Sequence, residues 1–111
     1  MIEKIILNYL KENASVEVYM QRPENPPPKY LLIEKTGSRQ NGHVFTGVIA
    51  IQSYAPRLLE AADLNEEVKA LTLQSIELDE ICKVELNSDY NFTDPDAKQY
   101  RYQAIFNIVH Y

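Results

Sequence analysis

The 111 residues hold no tryptophan, one cysteine and only three glycines. A single thiol, Cys82, excludes an intrachain disulfide. It stands in the alternation Cys82, Val84, Leu86, and that placement predicts a buried small hydrophobe, not a nucleophile. The scarce glycines leave little room for a phosphate-cradling loop. Gly37 and Gly42 flank a segment that is not followed by Lys-Ser/Thr, so no Walker loop is present. No apolar run approaches the ~20 residues that span a bilayer. Lys/Arg clusters of even three in a row are absent, and the net charge is −5. That excludes an external basic patch gripping DNA or RNA. Mild acidity suits solubility, and it suits a surface that nucleic acid slides past without sticking.

Catalytic signatures are missing too. The two histidines, His43 and His110, have no cysteine nearby and no partner at ligand spacing. A zinc site needs three or four ligands, so both are expected to be solvent-exposed. Asp89-Tyr90-Asn91-Phe92-Thr93-Asp94 begins like a calcium loop. Asp94 stands where the obligatory glycine belongs and Tyr100 where the bidentate glutamate belongs, so a capped turn before Pro95 is the better reading. There is no G-x-S-x-G and no Cys–His arrangement. Carboxylates are plentiful, with Glu60, Asp63, Glu66 and Glu67 grouped on the outer side of a helix. No catalytic, metal-binding or cofactor-binding residue is assigned. Asn13-Ala14-Ser15 and Asn91-Phe92-Thr93 match the glycosylation acceptor, yet the opening residues read as a helix and not as a signal peptide. The expectation is a protein made and kept inside a cell.

What is present is a regular alternation of elements. Ile2, Ile5, Ile6, Tyr9 and Leu10 recur at helical spacing, with Glu3, Lys4, Asn8, Lys11 and Glu12 opposite them, predicting a helix over about 2–12 that ends near Asn13. Val16, Val18 and Met20 alternate with polar neighbours as a short strand. Four of the six prolines lie between Arg22 and Pro28, which forces an extended crossing loop. Tyr30 to Glu34 reads as a strand apolar on both faces. Thr36 to His43 has the composition of a flexible turn, placing Arg39 and Gln40 at a mobile hairpin tip. Val44 to Ser53 resumes strand character.

Pro56 suits the first turn of a main helix over about 56–76, with Leu58, Ala61, Leu64, Val68, Leu71 and Ser75 on its inner face. Cys82 to Asn87 is a strand, Ser88 to Ala97 a polar loop, and Lys98 to Tyr111 a long strand with one apolar face. The order α-β-β-β-α-β-β predicts an α+β single domain over 1–111. It is a mixed or antiparallel sheet of about five strands with two helices packed on one face. The chain has eight tyrosines. Tyr54, Tyr100, Tyr102 and Tyr111 sit at a junction and on the last strand, where an apolar body with a polar tip favours a subunit contact. Half-buried sheet tyrosines are the plainer account of any single one.

Several segments together resemble the tail terminator, or tail-completion, proteins that join head to tail in long-tailed bacteriophages and prophages. The likeness covers nearly the whole chain. It rests on the helix Met1 to Leu10 and on Pro27-Pro28-Lys29-Tyr30-Leu31-Leu32-Ile33-Glu34. It continues in Val48-Ile49-Ala50-Ile51-Gln52-Ser53-Tyr54-Ala55 and in Tyr100-Arg101-Tyr102-Gln103-Ala104-Ile105-Phe106. The resemblance implies a non-enzymatic virion protein, assembled in the bacterial cytoplasm and resident at the tail–head junction. Six copies would form a ring on the tail tube end, stop its polymerisation and dock the head's connector, with DNA passing through the lumen and no membrane or cofactor involved. Arg39, Gln40, Tyr54, Tyr100, Tyr102 and Tyr111 are the candidate assembly residues, toward tube protein, connector or a neighbouring copy. The rivals are a head-completion or adaptor protein on the connector side, a non-viral dimeric binding module using the tyrosine strand, and a small enzyme.

Overall fold

Period-2 apolar residues run through four long segments, and each becomes a strand of one sheet. The structure is a computed structural model that describes residues 1–96 and 99–111. In chain order the elements are α1 (Ile2–Asn13), β1 (Glu17–Tyr19), β2 (Tyr30–Asn41), β3 (Val44–Ala55), α2 (Leu58–Gln74), a 3-10 turn (Ser75–Glu77), β4 (Ile81–Asn91) and β5 (Tyr100–His110). The strands line up as β1-β2-β3-β5-β4. Among the described residues only β1 and β2 run parallel; the other neighbours are antiparallel. This is the α+β mixed sheet with two helices that the element order predicts. The limits placed at Ala97 and Lys98 lie outside the described residues.

Because successive side chains leave a strand on opposite faces, the sheet sorts its residues cleanly. Leu31, Ile33, Ile49, Ile51, Ala104, Phe106 and Ile108 share one face and are buried. Against them pack Ile2, Ile6 and Leu10 of α1 and Leu64 and Val68 of α2. Gly47 lies where α1 comes closest. A Cβ there would meet Ile2 Cγ2 at 3.0 Å, so the missing side chain lets the helix seat.

Four sequence expectations need correction. The hairpin tip is shorter than its composition implies: β2 continues through Arg39 and Gln40, which pair with Thr46 and Phe45. Only Gly42 and His43 turn, with Gly42 at φ +63°, which spares the segment before it for strand pairing. Cys82 is exposed and not buried. The register of β4 shifts between Ile81 and Lys83, so Cys82 drops out of the alternation and Ile81 takes the buried place. The loop expected from Ser88 is strand as far as Asn91. Leu58 is 43% exposed, because it starts α2 beyond the sheet. The buried stripe of α2 is Ala61, Leu64, Asn65, Val68 and Thr72, two of them polar.

Side chains fasten the helices. The Asn13 amide donates to the Tyr9 carbonyl at 2.8 Å and so closes α1. The Glu67 carboxylate accepts from the Ser15 amide and hydroxyl, and Glu60 meets Lys29 at 2.8 Å, tying the loops around β1 to α2. Asn65 Nδ2 and Lys69 Nζ both donate to Asp89 Oδ2 at 3.0 Å, tying α2 to β4. Glu66 and then Asp89 hold the Lys69 ammonium above its usual range, against a smaller opposing effect of burial.

Candidate assembly surfaces

Among the described residues no helix packs on the second face of the sheet, formed by Leu32, Glu34, Val48, Ala50, Gln52, Tyr54, Gln103, Ile105 and Asn107 with their neighbours. Its two ends differ. At the end where β2 and β5 begin, aromatic and polar groups close on one another. The Tyr54 ring stacks on fully buried Tyr30 at 4.5 Å, and Tyr19 meets Tyr30 edge-on. Tyr54 donates its hydroxyl to Gln52 Oε1, Gln52 Nε2 donates to Gln103 Oε1, and Gln103 Nε2 donates to the Tyr90 hydroxyl. Arg101 donates to the Tyr54 hydroxyl at 3.2 Å and lies over the Phe92 ring at 4.3 Å. Burial pushes the Tyr30 phenol up, partly offset by the Arg22 guanidinium. The Tyr30 hydroxyl is buried without a partner, but Tyr54, Gln52, Gln103, Tyr90 and Arg101 satisfy one another across three strands, which makes the ladder a structural brace.

The other end is open. Arg39, Val48, Lys83, Glu85, Asn107 and Val109 line a groove of about 480 Å³ across β2, β3, β5 and β4. Glu85 holds the Lys83 ammonium above its ordinary range from 2.6 Å. Its floor is half apolar and its walls carry both signs of charge. That suits a protein contact better than a small polar substrate, which wants convergent unpaired groups. Among the described residues no group of three His, Cys, Asp or Glu is placed to hold a metal. No helix among the described residues is long and apolar enough to cross a membrane. His43 is exposed on the turn, whereas His110 is half-buried with its ring stacked on Phe45.

The six residues expected at an interface do not form one patch. Arg39 and Gln40 are exposed near the turn, and Tyr111 is 72% exposed just past β5 at that same end. Tyr54, Tyr100 and Tyr102 gather at the far end of β3, roughly 25–35 Å away at ~3.3 Å per strand residue. Tyr100 is 41% exposed, Tyr102 is half-buried, and Tyr54 at 8% has spent its surface inside the chain. Sequence reasoning missed Lys83, Glu85 and Asn107 in the groove and Gln52, Gln103 and Arg101 in the brace. Their only signal was polarity at alternate positions of otherwise apolar strands.

No protein-family model matches the sequence, and neither does any curated protein. Solved structures do share the fold. A chain in the structure described as the virion of a native gene transfer agent particle superposes with a TM-score of 0.76 at 11% identity, over 98% of this chain and 93% of that one. At that identity the likeness is one of fold.

Proposed function

We propose that the protein is a structural component of a phage-type virion, forming a ring that ends the tail tube and joins it to the head. One observation carries this reading. The fold matches a virion chain over 98% of this chain and 93% of that one. Two physical features support it. A net charge of −5 lets DNA pass through a lumen without being held. A sheet with an open face and an open groove offers contact area in place of an enclosed reaction site.

The ring contacts tube protein on one side and the connector on the other, and DNA is a passenger only. The adaptor position on the connector side draws on the same fold likeness, so partner choice separates the two. Light scattering on a sizing column with negative-stain images tests the ring. Hexameric particles with a central hole support it, and a closed dimer that ignores virion parts overturns it. Pull-down against purified tube protein and connector then assigns the position, tube binding favouring the terminator and connector binding alone the adaptor.

A further inference from the structure

The two outer edges of the sheet are both unpaired over long spans. On one side β1 covers only Tyr30, Leu31 and Leu32 of β2, leaving residues 33–41 without a strand partner on that edge among the described residues. On the other side β4 pairs with β5 alone, so its outer edge is free over residues 81–91 among the described residues. Long open edges are templates for another chain, and proteins commonly blunt them with bulges and charges. Here the bulges and charges of the two edges match each other.

Three antiparallel steps separate β2 from β4, so the two strands run in opposite directions. A second copy set beside the first, with its sheet facing the same way, therefore meets β4 with β2 antiparallel, as the sheet pairs its own long strands. One alignment stands out. It places Arg39 opposite Glu85 on the open face and Lys35 opposite Asp89 on the helix face. It also places residue 33 opposite 91 and residue 41 opposite 83. The free span of β2 starts where β1 stops, and in this alignment that start lies level with the last residue of β4. The irregularity of β2 lies between Lys35 and Gly37, and that of β4 between Leu86 and Ser88, so both fall in the same step of the joined ladder. Side-chain faces stay matched on either side of it. Shifting the alignment by two in one direction sets Arg39 against Lys83, and shifting it in the other loses both opposite-charge pairs.

We infer that copies of this chain join head to tail through these edges, β2 of one against β4 of the next, with Arg39 facing Glu85 and Lys35 facing Asp89. The inference rests on the ring reading and supplies its contact. Unlike edges meeting edge to edge make a heterologous interface, which closes into a ring when the rotation allows. Lys35 already approaches Glu3 at 3.5 Å, and Asp89 accepts from Lys69, so the new pair extends a row of alternating charge. Pairing by main-chain hydrogen bonds also explains how Arg39 and Gln40 could serve assembly without a mobile tip.

A cysteine trap tests this. Opposed residues of an antiparallel pair lie about 4.5–5.5 Å apart at Cα, within disulfide reach. In a Cys82→Ser background, Arg39→Cys and Glu85→Cys are combined in one chain and oxidised with glutathione disulfide at assembling concentration. The expected result is a ladder of covalent multimers on a non-reducing gel, lost on reduction. Either substitution alone should give none, and Arg39→Cys with Asn87→Cys should give several-fold less. Both exposed positions should leave the melting curve unchanged. Rings by light scattering without a ladder overturn the edge contact and leave the ring standing. Monomer at every concentration without a ladder overturns both. Efficient dimer from Glu85→Cys alone assigns a twofold β4–β4 contact and overturns the head-to-tail join.

Discussion

Ile49 and Val48 are neighbours on β3, yet Ile49 is fully buried beneath the helices while Val48 lines an open groove. The same contrast repeats on β5 with Phe106 and Asn107. On the helix-covered face the side chains are branched or aromatic, and their burial, at about 25 cal/mol per Å², is what holds the chain folded. On the open face the residues are mixed, and half of the face is braced by hydrogen bonds while the other half is left free. The helix-covered face carries stability, and the open face with its flanking edges is available for contact. Replacing Phe106 by Ala should cost about 3–5 kcal/mol, since a fully buried ring leaves a cavity. Replacing the adjacent, half-exposed Ile105 by Ala should cost about 1 kcal/mol. Urea unfolding with an unchanged m-value measures both. Equal losses would mean that the open face is as much core as the other.

The closeness of the helix-covered face has its own test at Gly47. Valine there drives a branched side chain into Ile2, already 3.0 Å from an added Cβ. A loss of about 1–3 kcal/mol is expected, the usual cost of overpacking. Trimming Ile2 to Ala in the same chain should make the double mutant less unstable than the sum of the two changes, because the two residues touch. Strict additivity in the double-mutant cycle would put the cost in the strand backbone instead.

On the open face the corresponding test is Tyr54→Phe. The ring keeps its stack on Tyr30 but loses the bond to Gln52 and the one from Arg101. A loss of about 1 kcal/mol is expected, near the net worth of a hydrogen bond, with ring assembly unaffected because the hydroxyl faces inward. Loss of assembly at unchanged stability would place the Tyr54 hydroxyl in the interface.

The fold was readable because its strongest signals are local. Ile2, Ile6 and Leu10 keep a helical period, and Ala104, Phe106 and Ile108 keep a strand period. Proline in the 23–28 loop and the short Gly42 turn punctuate them. The errors came where a single residue breaks a period. Nothing local marks Cys82 as displaced by a shift in register, and nothing marks Asn65 and Thr72 of α2 as inward-facing, since polarity argues against it. The surfaces were less legible still. Arg39 and Gln40 were singled out for loop-like neighbours that prove to be strand. Lys83 and Glu85 reach the same groove from forty residues further on, through a pairing of β4 with β5 that spacing does not reveal.

The smallest expected effect is at Leu58, where helical spacing alone places a core residue. It occupies the first position of α2 after Arg57 and is 43% exposed, so Leu58→Asp removes little buried surface. A carboxylate in the first turn also meets the positive end of the helix dipole, worth about 0.3–1 kcal/mol in its favour. The net change in stability should stay within about 0.5 kcal/mol. Two turns further on, Leu64→Asp puts an unpaired charge among Val68, Ile51 and Phe106 at a site only 5% exposed, and should not fold. Thermal melts of the pair decide where the core begins along α2. A soluble, wild-type-like Leu58→Asp that nonetheless fails to form rings would show that the exposed Leu58 and Leu59 at this helix end belong to a contact with another subunit.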